Sequence, residues 1–239
     1  MSCQAQGHDG KTKQQSRVVY YSQLPVQAIQ TALMNFPRLH RDTPPGNLAL
    51  NKMNPDGSIS THSISAVTSY KYLGVIFDPS LQWKFQHAKA HASATFWTLR
   101  IWCLSTPSNG LKPSNARQLY TTVSVPGFIY GAEVWYTPAT KLEGGKKMKG
   151  SVAVTNKLRS TQRKAAKMIT GVLSTTAGDI LDIHADLLLV DLLLSKILFR
   201  AAVHICSLPP SHPLHNTIRK AAHRSIKRHC SPLHNLLHL

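Results

Sequence analysis

The sequence predicts a mainly α-helical, α+β chain with a small antiparallel β element near the N-terminal third. Before residue 81, short β-rich runs surround turn residues, and from Leu81 onward the apolar residues recur with the period of about 3.6 that a helix requires. In addition, 42% of the 239 residues are hydrophobic, which gives enough apolar surface for a packed core.

The N-terminal region is predicted to hold a tail and two short elements. Residues 1–16 are polar and aperiodic, so we expect a disordered tail. A short strand is expected over 17–22. Helical spacing of apolar residues predicts a helix over 25–36, which ends before Pro37.

A β-hairpin and a further β segment follow. Residues 48–50 and 59–67 flank the turn sequence NPDG at 54–57, in which proline presets φ and glycine tolerates positive φ. Residues 70–77 are rich in β-formers, and Gly74 permits a bend or a close approach.

Helices are predicted for most of the remaining chain. One apolar stripe predicts a helix of about twenty residues: Phe85, Ala88, Ala92, Phe96, Leu99 and Trp102. A second helix starts at Pro113 and is kinked or ended by Pro126. Further helices are expected over 128–136, 177–184 and 187–207, and near 214–229 within the basic, His-rich tail 208–239.

The sharpest amphipathic pattern lies over 156–170. Thr155 or Asn156 is expected to cap the N-terminus of this helix, and Gly171 suits its C-terminus. The apolar side chains occupy one arc of the helix. Five cations occupy the opposite arc: Lys157, Arg159, Arg163, Lys164 and Lys167.

The charge balance indicates a polyanionic partner. Lys and Arg number 28 against 10 Asp and Glu, for a formal charge of +18. Nucleic acid is therefore the first candidate. Residues 192–239 contain no carboxylate, so the second half is the expected binding side. The four cysteines form no C-x-x-C pair, and a reducing intracellular compartment is expected.

Residues 187–208 form an apolar run that must be weighed as a membrane span. Asp191, Lys196 and Arg200 lie near its middle, and each costs roughly 2.5–3.5 kcal/mol at a bilayer centre. A core helix is therefore favoured, and no membrane partner is expected.

The sequence contains no evident catalytic centre. The acidic residues cluster at Asp179, Asp182 and Asp186, whose spacing places them on one face of a short helix. A two-metal site needs such a cluster, but no strand or glycine-rich loop stands beside it. We favour carboxylates that interact with the helix dipole, solvent or a basic neighbour.

Histidine and cysteine spacings leave zinc open as an alternative. His87 and His91 have the spacing of a helical zinc site, but neither a glutamate nor a third ligand accompanies them. A structural zinc site could also be formed by residues nearer the C-terminus: His204, Cys206, His229 and Cys230. We favour core or solvated histidines, and no metal is assigned.

Four segments carry a resemblance to a known family. They are YKYLGVIFDPSLQWKFQH at 70–87, LYTTVSVPGFIYGAEVW at 119–135, LRSTQRKAAKMITG at 158–171 and HPL at 212–214. In this order they resemble the C-terminal part of the reverse transcriptases of non-LTR (LINE-type) retrotransposons, and fungal elements most of all.

This resemblance implies the end of a palm domain followed by a helical thumb-like bundle. Residues 17–80 would be the palm-end remnant and 81–207 the thumb and connector. The resemblance implies a primer grip at Tyr72, Leu73 and Gly74, and the neighbouring Lys71 is a further candidate nucleic-acid contact.

The family's catalytic motif has no counterpart in this chain. That motif is an aromatic residue, one further residue and two aspartates. We therefore expect no polymerase activity from the chain alone, and Mg²⁺ only in an intact polymerase. The expected partners are RNA, DNA or an RNA/DNA hybrid, in the nucleus or the cytoplasm, and the missing palm and fingers of the same polyprotein.

Two other classes of function remain open. One is a stand-alone basic nucleic-acid-binding or architectural protein without catalytic activity, and the other is a zinc-dependent enzyme. A polymerase fragment predicts exposed apolar surface around 70–77 and 85–96, whereas a stand-alone protein predicts that this surface is covered. If about three of the five helix cations touch phosphates, log affinity should fall by about 2 to 3 per tenfold rise in salt. The alternative for these cations is a solvated helix surface.

Overall fold

The computed structural model describes residues 33–36, 47–53, 58–105, 110–141, 148–172 and 175–223. The chain divides into two compact units, one of residues 1–70 with 78–80 and the other of 71–77 with 81–239. The segment 71–77 thus belongs to the helical unit, although the sequence grouped it with the front of the chain. The tail over 1–16 and the strand over 17–22 lie outside the described residues.

The first unit contains the predicted hairpin. Strand β1 (Leu48–Met53) pairs antiparallel with β2 (Ile59–Ile64), with Leu48 opposite Ile64 and Met53 opposite Ile59. The hairpin prediction is confirmed for both strands, and its turn lies outside the described residues.

The predicted helix over 25–36 is wrong at its C-terminal end. Leu33 forms an isolated parallel bridge with Ala66, and its carbonyl accepts the Val67 N–H at 2.9 Å. Residues 33–36 are therefore a bridge residue and irregular chain, not the end of a helix. Phe36 also precedes Pro37, and the residue before a proline is disfavoured in the α conformation. The rest of that prediction lies outside the described residues.

The second unit is mainly helical, and the predicted fold class is confirmed. Its elements follow in chain order: β3 (Tyr70–Tyr72, which begins in the first unit), β4 (Val75–Phe77), α1 (Lys84–Leu104), α2 (Pro113–Leu119), α3 (Val125–Ile129), α4 (Ala132–Trp135), β5 (Thr140–Lys141), β6 (Met148–Lys149), α5 (Val152–Thr170), α6 (Gly178–His184), α7 (Val190–Cys206) and α8 (His215–Ala222). Strand β3 pairs with β4, and β5 pairs antiparallel with β6.

Pro126 does not end the helix that starts at Pro113. The chain passes from α2 through a π-helical turn (Tyr120–Ser124) directly into α3. Proline lacks an N–H, and its ring clashes with the carbonyl four residues earlier, here that of Thr122. A π-helical turn widens the backbone at this point and accommodates the proline. It also buries Tyr120 and Ser124.

Helix α5 begins earlier than the capping pattern predicts. It starts at Val152, so Thr155 and Asn156 lie inside the helix and the predicted N-cap is wrong. The Thr155 hydroxyl instead donates to the Ser151 carbonyl at 2.9 Å. Gly171, with a φ of 66°, ends the helix as predicted, and its N–H donates to the Lys167 carbonyl.

The core of the helical unit is built on close approach of helices through small side chains. Helix α1 packs against α3 and α5. Its buried residues include Ala90 and Ala94, and those of α5 include Ala165 and Ala166. At Gly127 in α3, a Cβ atom would come within 3.1 Å of the Ser93 Oγ. Larger residues on these contact faces would push the helices apart.

The larger side chains of α1 therefore lie on the opposite side of the helix. We call this side the outer face of α1. It consists of the stripe found in the sequence, and all six of its residues are exposed: Phe85, Ala88, Ala92, Phe96, Leu99 and Trp102. The helix prediction is confirmed, but its buried side is instead formed by Gln86, Ala90, Ala94, Thr98 and Ile101.

A buried polar contact joins the π-helical turn to α5. The Tyr120 hydroxyl donates to Gln162 Oε1 at 3.5 Å, and Gln162 Nε2 donates to the Leu188 carbonyl at 3.0 Å. Burial, with a further contribution from Asp182, raises the pKa of the Tyr120 phenol.

Helix α7 packs as the core helix that the sequence predicts. Its buried positions Val190, Leu194 and Leu198 are spaced by four residues and contact the rest of the unit. Among the residues that the structure describes, no helix combines the length and the apolar character needed to cross a bilayer.

Candidate nucleic-acid interface

The first candidate site is the tight turn between β3 and β4. Leu73 and Gly74 have φ values of 44° and 83°. Positive φ at both residues of a two-residue loop is the requirement of a type I′ hairpin turn. Glycine adopts this backbone readily, but for leucine it is strained by roughly 1–2 kcal/mol. The Leu73 side chain is also 72% exposed, so no packing within the described residues explains the choice of leucine.

Two side chains from distant parts of the sequence hold this turn. The Tyr130 hydroxyl donates to the Leu73 carbonyl at 2.8 Å, and the Lys89 ammonium donates to the Gly74 carbonyl. A Cβ atom at position 74 would lie 2.9 Å from Tyr130 Cε1, so the aromatic ring rests directly on the glycine.

An open cleft of about 450 Å³ lies beside the turn. Its lining includes Lys71, Gly74, Lys89, Phe128 and Tyr130. Two ammonium groups next to a main-chain turn can contact phosphate oxygens, and such contacts position a nucleic acid without reading its sequence. An aromatic ring at the edge of the cleft can also stack on a base. Two residues of this site, Tyr130 and Lys89, were not predicted. Tyr130 lies in segment 119–135, which carries the family resemblance, whereas no feature of the sequence pointed to Lys89.

The second candidate site is the cationic side of α5. Its predicted apolar arc is confirmed: Leu158, Thr161, Ala165 and Ile169 are buried, and Met168 is half-buried. On the opposite side, Lys157 and Lys164 are exposed and Lys167 is half-buried. Lys157 and Lys164 are seven residues apart, which places them two helical turns, or about 10 Å, apart along the same side.

The two arginines of α5 are engaged within the protein. Arg159 forms an ion pair with Asp191 of α7. An Arg163 Nη2 group donates to the Thr176 carbonyl at 2.6 Å, and a Cβ atom at Gly178 would lie 3.2 Å from Arg163 Nη1. The five predicted cations are therefore not equivalent, and Lys157 and Lys164 are the most accessible of them.

The two candidate sites have different structural neighbours. The turn at Leu73 and Gly74 contacts α1 and the segment around Tyr130, whereas the arginines of α5 contact the segments around Thr176 and Asp191. The sequence predicts nucleic-acid contacts at nine residues, the four from Lys71 to Gly74 and the five cations of α5. The structure places them in two groups.

The acidic cluster of the sequence is divided in the structure. Asp182 is buried, whereas Asp186 is exposed and ion-paired with Arg117. The structure does not describe the Asp179 side chain. Asp186 thus has a basic neighbour, one of the environments expected for the cluster, and Asp191 beyond it pairs with Arg159.

Comparison of the chain with models of protein families, with curated proteins and with solved structures finds no match. What the site can bind is therefore inferred from the side chains of this chain alone. Among the described residues, no group of three or more His, Cys, Asp or Glu side chains is placed to hold a metal ion. His87 contacts Trp135 edge to face, with ring centroids 5.4 Å apart.

Substitution of Gly74 by alanine tests how tightly the turn is held. We expect Gly74→Ala to lower the free energy of unfolding by about 2–3 kcal/mol, because it combines the strain of positive φ with displacement of the Tyr130 ring. Urea denaturation measures the change.

Gly171 provides the matched control for this substitution. Its φ of 66° is similar, but a Cβ atom there would meet nothing within 4 Å. Gly171→Ala should therefore cost about 1 kcal/mol, the backbone contribution alone. Equal losses for the two variants would contradict the close contact between Gly74 and Tyr130.

Proposed function

We propose that this chain is the C-terminal part of an RNA-directed DNA polymerase of the non-LTR retrotransposon type. In this proposal it holds a template–primer duplex and has no polymerase activity alone. The observation that carries the proposal is the strained turn at Leu73 and Gly74 with two lysines, Lys71 and Lys89, in the adjoining cleft.

The turn supports contact with a nucleic-acid backbone. A leucine in a left-handed backbone costs stability, and such strain is concentrated at binding and active sites. The turn projects the Leu73 side chain outward, and Tyr72 beside it is 37% exposed. Exposed apolar and aromatic side chains next to ammonium groups suit a sugar–phosphate backbone with its bases.

The cationic side of α5 supports a second contact along the duplex. Lys157, Lys164 and Lys167 present ammonium groups on a rigid helix whose other side is buried. Ammonium groups on a helix contact phosphates irrespective of base sequence. Arg159 can join them, because an exposed ion pair such as that with Asp191 is worth about 1 kcal/mol or less.

The exposed outer face of α1 favours a fragment of a larger protein over a stand-alone binding protein. A stand-alone protein is expected to cover its large apolar side chains, yet Phe85 is 56% and Leu99 is 52% exposed. In this proposal the face is covered by the missing palm and fingers of the same polyprotein. The complex would act in the nucleus or the cytoplasm. Any Mg²⁺ would be bound by those missing domains.

The turn can be tested by removing one ammonium group from it. We expect Lys71→Gln to weaken binding of a 16-base-pair RNA/DNA hybrid and to lower the log–log salt slope by about 0.9, the value for one lost phosphate contact. Fluorescence anisotropy at 50–300 mM salt measures both quantities. Lys112→Gln is the control, because Lys112 is also exposed but precedes α2, outside the cleft. Equal losses of affinity and of salt slope in the two variants would refute the proposal that the turn contacts the nucleic acid.

A further inference from the structure

The cleft beside the turn extends along α1 to residues that the proposed function does not use. Its lining also includes Ser93 of α1 and Gly127 of α3. A Cβ atom at position 127 would lie 3.1 Å from Ser93 Oγ and 3.5 Å from the Trp97 indole, so both side chains lie against the bare backbone of this glycine. Trp97 therefore borders the Gly127 side of the cleft.

Four side chains form a row along one side of α1, starting in this cleft. They are spaced by four, four and three residues, which keeps them on one side of a helix: Lys89, Ser93, Trp97 and Arg100. We call this row the α1 track. With a rise of 1.5 Å per residue, the track is about 16 Å long. It begins with the ammonium group that donates to the Gly74 carbonyl and ends with a guanidinium group.

The two residues of the track that lie farthest from the turn are exposed and held in place. Trp97 is 37% exposed, and its ring meets Phe96 edge to face with the centroids 5.2 Å apart. The exposed Arg100 guanidinium lies over the Phe96 ring, 5.0 Å from its centroid. This cation–π contact orients the guanidinium without neutralising it. Helix α1 contains no acid, and Arg100 pairs with no carboxylate among the described residues.

An exposed aromatic ring with cations on both sides has the chemistry that binds an unpaired nucleic-acid strand. Aromatic side chains stack on bases of any sequence, and cations beside them contact the backbone. Bases inside a duplex do not present their faces to such a ring, whereas unpaired bases do. A stacked strand advances about 3.4 Å per nucleotide, so the track is long enough for up to about five nucleotides.

We propose that the α1 track binds the unpaired RNA strand that extends from the template–primer duplex, with one base stacked on Trp97 and a phosphate on Arg100. The inference rests on the proposed function, in which the template is RNA, and adds a single-strand site to the duplex contacts of the turn and α5. Trp97 and Arg100 are not among the six residues of the outer face of α1, so that face remains open to another domain of the polyprotein.

RNA extensions on a hybrid test the track. The full chain should bind a 16-base-pair RNA/DNA hybrid with five-nucleotide RNA extensions at both ends at least about fivefold more tightly than the blunt hybrid, the lower end of what one stacked base contributes. Trp97→Ala should abolish this gain and leave the affinity for the blunt hybrid unchanged, whereas Trp97→Phe keeps a ring and should retain most of the gain. Fluorescence anisotropy measures these affinities.

Trp102→Ala is the matched control for Trp97→Ala. It removes an indole that is 54% exposed on α1 outside the track, so it should retain the full gain. Equal losses of the gain in the two alanine variants would overturn the proposal. Extensions of abasic nucleotides keep the phosphates and should lose most of the gain. A gain equal to that of RNA would indicate a contact of charge alone and would also overturn it.

Arg100→Gln tests the phosphate contact at the end of the track. It should lower the log–log salt slope for the extended hybrid by about 0.7, the value for one phosphate contact on a single strand. An unchanged slope would exclude the contact with Arg100.

The blunt hybrid separates this inference from the proposed function. A chain that binds the blunt hybrid but gains nothing from the extensions would overturn the track alone. A chain that fails to bind the blunt hybrid but binds single-stranded RNA through Trp97 would overturn the proposed function and support the track.

Discussion

Replacing Lys157 and Lys164 by glutamine is expected to weaken binding of an RNA/DNA hybrid about 10- to 60-fold near 0.1 M salt. The same double variant should lower the log–log salt slope by about 1.8, because two phosphate contacts are lost. Both lysines are exposed on the cationic side of α5, and within the part of the chain that the structure describes neither forms an ion pair like that of Arg159 with Asp191. Glutamine has a helix propensity similar to that of lysine, so the fold should be unaffected. Fluorescence anisotropy over a salt series measures both quantities.

A charge-matched control distinguishes a binding face from net charge. The double variant Lys196→Gln/Arg200→Gln removes two exposed cations from α7. If binding depends on the total charge of +18, the two double variants should weaken it equally. If α5 contacts the nucleic acid, the α5 variant should lose more affinity for the hybrid than the α7 variant and show the larger decrease in salt slope. Equal changes in the two variants would contradict the contact.

Trp135→Ala is expected to have the largest effect on stability, a loss of about 3–5 kcal/mol in the free energy of unfolding. The Trp135 side chain is fully buried, and its indole N–H donates to the Tyr130 carbonyl at 3.1 Å. Its ring also contacts His87 edge to face. Truncation thus leaves a cavity between α4 and α1. It also removes the hydrogen bond to Tyr130, whose hydroxyl holds the turn at Leu73.

Trp102→Ala provides the matched comparison for this loss. Trp102 is 54% exposed on the outer face of α1, so we expect a change of about 1 kcal/mol or less in the free energy of unfolding. Urea denaturation of both variants gives the two values. Similar losses would mean that Trp135 does not occupy the core position described here.

The elements with a strong local signal were predictable from the sequence. Helix α5 repeats its apolar residues at helical spacing for nineteen residues and ends on Gly171, so both its buried side and its C-terminus follow from local patterns. The strands of the first hairpin follow from the turn residues between them. The N-terminus of α5 was not predictable, because Thr155 occupies an internal position where its hydroxyl bonds the Ser151 carbonyl.

The orientation of α1 was not predictable from hydrophobicity alone. Hydrophobicity predicts that Phe85, Phe96 and Leu99 face the core, because large apolar residues are usually buried. In the structure the close approach of α3 and α5 requires alanine and polar residues on the inner side, and only the tertiary arrangement shows this. The helix was therefore predicted correctly and its exposed side was not.

The supporting residues of the candidate site come from distant parts of the chain. Tyr130 and Leu73 are 57 residues apart, and Arg159 and Asp191 are 32 apart. No local spacing connects such pairs, so the sequence could name Leu73 and Gly74 through a family resemblance but not the side chains that hold them. For the same reason, the sequence treated five cations on α5 as equal, although two of them bond within the protein.

The affinity of the unaltered chain for RNA/DNA hybrids of two unrelated sequences, measured from 50 to 300 mM salt, tests the central claim most directly. A template–primer clamp that contacts phosphates through the turn and α5 predicts equal affinity for both hybrids. It also predicts that log affinity falls by about 2 to 4 per tenfold rise in salt. Failure to bind either hybrid at micromolar concentration, a slope below about 1, or a preference for one sequence of more than about tenfold would contradict the account.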